Sequence, residues 1–233
     1  MIPIFFLAAV AAASPAPACD GPEPAAALCM ALAASDENRF ADSAGAFERA
    51  AAASPASDPR TQRMLAAAGN MWIAAGQPGK AALALDRALA GAGLQAEQRG
   101  LALLDRARAA EAQGDLVTAR RFVTQATPSA SDDHFLWYFS ASLAMREGDL
   151  PTARVAIARA LALAPRDPAV LFEAGHVAAA EGDQPRARNL WQQALDGDPS
   201  GATGAAARQA LGIADVPLAV GAATTTAPQR KPK

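Results

Sequence analysis

The feature that most constrains this chain is a turn that returns five times. Three stretches align by eye: GDLVTARRFVTQA from Gly114, GDLPTARVAIARA from Gly148 and GDQPRARNLWQQA from Gly182. GQPGKAALALDRA opens a fourth at Gly76, and NRFADSAGAFERA opens a fifth at Asn38. The turn positions are spaced by 38, 38, 34 and 34 residues. A period of this length means one supersecondary unit stacked repeatedly, because a single unit cannot bury its own apolar face. Asn fits the first position for the same reason as Gly, since both tolerate the left-handed backbone that ends a helix.

Each unit reads as helix, tight turn, helix. An alanine-rich apolar run precedes the turn, as in MLAAAGNMWIAA or AVLFEAGHVAAA. A polar residue follows it and is placed to cap the next helix, most clearly Asp149 and Asp183, with Pro151 and Pro185 in the first turn. The second helix carries apolar residues three and four apart, such as Ala153, Ile157, Ala160 and Leu161. Pro165 and Pro199 stand where a proline stops two of these helices. The composition agrees: 52% of residues are hydrophobic but only 5% aromatic, so small alanines carry much of the apolar content. Such a chain suits helices packed closely face to face.

The pattern resembles the tetratricopeptide repeat, whose units pair a helix A with a helix B around a glycine turn. The fifth unit carries the marks at Leu171, Gly175, Ala178, Gly182, Ala187, Trp191, Ala194 and Pro199. The fourth carries them at Trp137, Ala141, Gly148, Ala153, Ile157, Ala160 and Pro165. The second unit gives Leu65, Gly69, Trp72, Gly76, Ala81, Leu85 and Ala88, and the third gives Leu103, Ala107, Gly114, Ala119, Val123 and Ala126. The first departs most, for its helix A, around Ala25 to Ala34, has no large early residue. The resemblance implies an all-α, right-handed superhelical solenoid of antiparallel helix pairs. The resemblance covers roughly residues 24–199. The repeat domain is set at 19–213, with about five repeats and a capping amphipathic helix over 200–212. Residues 214–233, which lack a helical period and carry several Pro and Thr and a basic end, are read as a disordered tail. The two longer spacings predict an extra helical turn or a longer connection after Pro55 and after Leu89.

Residues 1–13, MIPIFFLAAVAAA, form an uncharged apolar run followed by ASPAPAC. The run is short for a membrane span and fits the apolar part of a secretory signal, so residues 1–18 are read as a signal peptide cleaved after Ala18, with Ala13 the alternative. The expected location is therefore periplasmic or secreted. The alternatives are anchoring through an uncleaved N-terminus or a lipidated Cys19. Cys19 and Cys29 are the two cysteines, placed to form a disulfide that staples the first helix in an oxidising compartment. Cys29 is otherwise a small buried helix residue.

Chemistry is sparse. The two histidines, His134 and His176, belong to no cluster with metal-ligand spacing, and phosphate loops, dinucleotide fingerprints and nucleophile elbows are missing. No enzyme, cofactor or metal is expected. The net charge is −2, and without Arg230, Lys231 and Lys233 the remaining 18 basic residues face 23 acidic ones, which argues against nucleic acid. No membrane span is expected after signal cleavage.

The resemblance implies a protein partner held in a groove of helix A residues one turn apart. These fall on Arg63 and Asn70, on Leu104, Arg108 and Glu111, on Tyr138, Ser142 and Met145, and on Phe172 and His176. Tyr138 and Phe172 either face the groove or pack on a neighbouring repeat. One form of the family clamps a terminal carboxylate with Lys and Asn; here Asp105 stands where an amide would help, and that clamp is not expected. The leading expectation is a non-enzymatic scaffold of the cell envelope that binds a peptide or helix. The alternative is a structural subunit that self-associates.

Overall fold

A computed structural model describes residues 19–55 and 57–213. The leader assigned to 1–18 and the tail assigned to 214–233 lie outside these described residues. All five turn positions have positive φ: Asn38 at 58°, Gly76 at 68°, Gly114 at 81°, Gly148 at 75° and Gly182 at 86°. At Asn38 this is an L-residue held in the left-handed region, which Asn reaches more cheaply than a branched or bulky side chain. The reversal this backbone makes turns one helix back against the next.

The described residues form helices and no strand. They divide into two compact units after Leu163. The first holds α1 (Ala25–Asp36), α2 (Phe40–Ala53), α3 (Pro59–Ala74), α4 (Pro78–Ala90), α5 (Ala96–Ala112), α6 (Leu116–Ala130), α7 (His134–Glu147) and α8 (Leu150–Leu163). The second holds α9 (Pro168–Ala180), α10 (Gln184–Gly197) and α11 (Ala202–Leu211).

Capping sets the helix starts. Asp115, Asp149 and Asp183 each accept a hydrogen bond from the backbone N–H three residues on, at 2.9, 3.1 and 3.1 Å. Asp167 accepts two, from Ala169 and Val170, at 2.9 and 3.0 Å. Each satisfies donors that a helix N-terminus leaves open, worth about 1 kcal/mol apiece. The longer spacings go into both helix and connection. α3 and α5 run 16 and 17 residues, against 14 and 13 in α7 and α9.

Alanine builds the interior of the first unit. Ala44, Ala50, Ala68, Ala81, Ala88, Ala107, Ala119, Ala126, Ala141 and Ala153 are all sealed from solvent. Small side chains bring the helix axes close, and a few large ones fill what remains: Phe47, Leu65, Trp72, Leu85, Phe122 and Ile157. Ser43, fully buried, donates its hydroxyl to the Ala31 carbonyl at 2.8 Å and ties α2 to α1. At the first end, a disulfide joins Cys19 to Cys29 on α1, with Cα atoms 5.5 Å apart.

In the second unit, Gly175 allows α9 and α10 to meet. A Cβ there would fall on Nε1 and Cδ1 of Trp191, so Gly is what admits the indole. Trp191 in turn donates Nε1–H to the Phe172 carbonyl at 3.2 Å. α11 packs against α10 and α9, where Ala210 and Leu211 meet the buried Trp191 cluster.

Candidate functional site

Helices α3, α5 and α7 of the first unit carry all but two of the groove residues that the resemblance implied. On α7, Tyr138, Ser142 and Met145 lie four and three residues apart and share one face, all half-buried. On α5, Arg108 and Glu111 do the same, with Asp105 one turn before Arg108. On α3, Arg63 is exposed and Asn70, two turns on, is half-buried.

Side-chain contacts join these helices into one strip. Asn70 donates Nδ2–H to Oδ2 of Asp105 at 2.9 Å, linking α3 to α5. Arg108 donates to the other carboxylate oxygen of Asp105 at 2.8 Å. The same guanidinium lies over the Phe135 ring, 5.3 Å from its centroid, linking α5 to α7. Phe135 meets Tyr138 at 5.6 Å and Phe139 at 6.2 Å between centroids, so three aromatic rings stand together. Glu111 pairs with Arg146, closing a second α5–α7 link. The strip thus offers an aromatic surface whose neighbouring charges are already paired with each other.

Leu104 departs from its expected place. It is 3% exposed and lies in the core with Phe122, Leu136, Phe139 and Leu143, so it presents no surface to a partner. The helix turns Asp105 and Arg108 outward, and the residue before Asp105 therefore points into the α5–α6–α7 interior. Phe135 and Arg146 belong to the strip but are not among the groove residues that the resemblance implied. Glu111 and Arg146 are 35 residues apart, as are Asn70 and Asp105. A search for complementary side chains at about one repeat length would have found both pairs.

Phe172 and His176 sit on α9 in the second unit, both half-buried. Their rings meet edge-on at 4.4 Å, and His176 also meets Trp191 at 5.5 Å. Burial holds the His176 imidazole below its ordinary range, so it favours the neutral form. Between them, Glu173 is buried, and desolvation pushes its carboxyl up to about 7. Among the described residues no group of three or more His, Cys, Asp or Glu is placed to hold a metal, and no helix is long and apolar enough to cross a membrane.

No known family profile matches the sequence, and no curated protein matches it. Solved structures do. The chain superposes on YrrB, described as a TPR protein with an unusual peptide-binding site, with a TM-score of 0.56 and 16% identity, over 79% of this chain and 91% of that one. It superposes on a thermophilic TPR protein of Thermus thermophilus at 0.58 and 18% identity, over 79% and 97%. The chain has the tetratricopeptide-repeat fold. PilW, a type IV pilus biogenesis factor, matches at 0.63 with 16% identity, over 76% of this chain and 79% of that one. At such identities it is the fold that is shared. In tetratricopeptide terms α1, α3, α5, α7 and α9 are the A helices, and α2, α4, α6, α8 and α10 the B helices.

Proposed function

We propose that this protein is a non-enzymatic interaction scaffold that holds an extended segment or helix of another protein against the A-helix face of its first unit. The carrying observation is the strip of Phe135, Tyr138 and Arg108, with Asp105 and Asn70 behind it. Aromatic rings beside an arginine are the residue types on which binding energy concentrates at protein interfaces. Pairing Arg108 with Asp105 fixes its guanidinium before a partner arrives, which lowers the ordering cost of binding. YrrB, with a peptide-binding site on the same fold, supports the reading by analogy.

The setting in this reading is the cell envelope, with residues 1–18 removed on export. The apolar run ahead of Ala16-Pro17-Ala18 and the pairing of Cys19 with Cys29 support it. PilW, a pilus biogenesis factor of the same fold, is compatible with work on an envelope assembly. The test is crosslinking and pull-down from intact cells with the wild type and with a Tyr138→Ala, Arg108→Ala double variant. The variant should keep its helical circular dichroism and lose the partner. An unchanged partner set would sink the assignment of the face. Sedimentation over a range of concentrations separates this reading from a self-associating subunit, which would grow with concentration.

A further inference from the structure

One end of the A-helix face differs from the rest. Between α1, α2 and α3 lies an open cavity of about 490 Å³, a size usual for ligand pockets. Its walls are apolar, with Leu28 from α1, Phe47 from α2 and Met64 and Ala67 from α3, and no acidic residue lines it. Leu28 is still 37% exposed at its mouth.

The charge at its rim is also distinct. In the middle of the face Arg108 is matched by Asp105 and Arg146 by Glu111. At the cavity two arginines stand together, and Arg60 is clasped by Asp58 at 2.7 Å. Among the described residues Arg63 makes no hydrogen bond or ion pair, and its charge acts on an Asp58 already held by Arg60. An apolar cavity beside a guanidinium that makes no ion pair among the described residues complements a segment that carries a bulky apolar side chain with a carboxylate next to it.

We propose that this cavity anchors a large apolar side chain of an acidic partner segment while Arg63 takes the adjoining carboxylate. The inference rests on the groove reading and adds where the segment is anchored and what charge it carries. A second copy of the chain is the competing occupant, because α1 also exposes Met30 and Leu32.

The probes are two short fluorescein-labelled peptides, one alternating leucine and phenylalanine with glutamate, the other with lysine in place of glutamate. Binding is read by anisotropy and by the methyl resonances of ¹³C-methionine protein, in which Met64 reports on the cavity and Met145 on the middle of the face. The glutamate peptide should move the Met64 methyl. Arg63→Glu should weaken it by about tenfold, and Arg63→Lys should stay within about twofold, because the charge is kept. Ala67→Met, which fills the cavity without touching charge, should also weaken binding. Equal binding of the lysine peptide would overturn the proposal. So would a shift of Met145 with Met64 unmoved, an outcome that leaves the groove reading standing. No shift at either methyl would count against both. A Met64 shift that grows with protein concentration in the absence of peptide would assign the cavity to a second copy and overturn the partner reading.

Discussion

Gly69 and Leu85 give the sharpest test of what sets the distance between paired helices. A Cβ on Gly69 would meet Leu85 Cγ, and would come within 2.8 and 3.0 Å of its two methyl carbons. Leu85 is fully buried among Trp72, Ala81 and Ala88, so its side chain has no open space to retreat into. Overpacking of this kind costs about 1–3 kcal/mol. Alanine offsets up to about 1 kcal/mol of that through helix propensity. With the full offset, Gly69→Ala should therefore destabilise the first unit by a net of up to about 2 kcal/mol. The matched control is Gly45→Ala on α2, where the nearest atom is Arg49 Nη1 at 3.9 Å. There only the propensity term acts, and stability should rise by about 0.5–1 kcal/mol. Urea unfolding followed by circular dichroism measures both, and for a unit of this size each kcal/mol moves the melting point by about 2–4 °C. The decisive arm is the Leu85→Ala background. With the clash removed, Gly69→Ala should change sign and become stabilising, a coupling that distant sites do not show. If Gly69→Ala melts at or above the wild type, or costs the same with and without Leu85, then this contact does not set the helix approach.

At the first turn, Asn38 is exposed with φ of 58°, so Asn38→Ala should cost about 1 kcal/mol through the backbone, while Asn38→Gly should cost nothing measurable in the same urea experiment. Glu173 has its carboxyl raised by burial, so the fold favours its neutral form. The stability this brings is complete below pH 4.5 and is lost as pH rises towards 7, a difference on the order of 3 kcal/mol. Glu173→Gln should remove that slope. The comparison of the two proteins across pH isolates it from His176, whose depressed imidazole contributes with the opposite sign. The Cys19–Cys29 bridge closes a loop of ten residues' separation, worth about 2–3 kcal/mol to the stability of α1. Thiol titration of the untreated protein should find no free thiol, and reduction should lower hydrogen-exchange protection in α1 while α5 to α8 keep theirs.

The repeat was legible because its punctuation is local and recurs. A left-handed residue followed by a capping Asp needs nothing from the rest of the chain, and Asp149 and Asp183 cap their helices whatever lies opposite. The small residues were legible too, since Gly175 facing Trp191 is one unit's internal business. The lengths of α3 and α5 were half legible. The spacing of 38 required about one more turn, but spacing cannot divide four residues between a helix and the connection before it.

The face is harder to read because its chemistry is made between units rather than within them. Spacing puts Leu104, Asp105 and Arg108 on neighbouring lines of α5 and cannot say which line points outward. The answer depends on the turns of α3 and α7, where Asn70 and Phe135 draw the polar line out and leave Leu104 to the core. The same dependence makes the residue types of the face a poor guide to its charge. Read singly, Arg108, Glu111 and Arg146 describe a charged groove; paired, they leave an aromatic surface with little net field. A cation that makes no ion pair among the described residues is then the more informative residue, because a partner's carboxylate can still pair with it. Arg63 meets that condition, beside the apolar cavity between α1, α2 and α3.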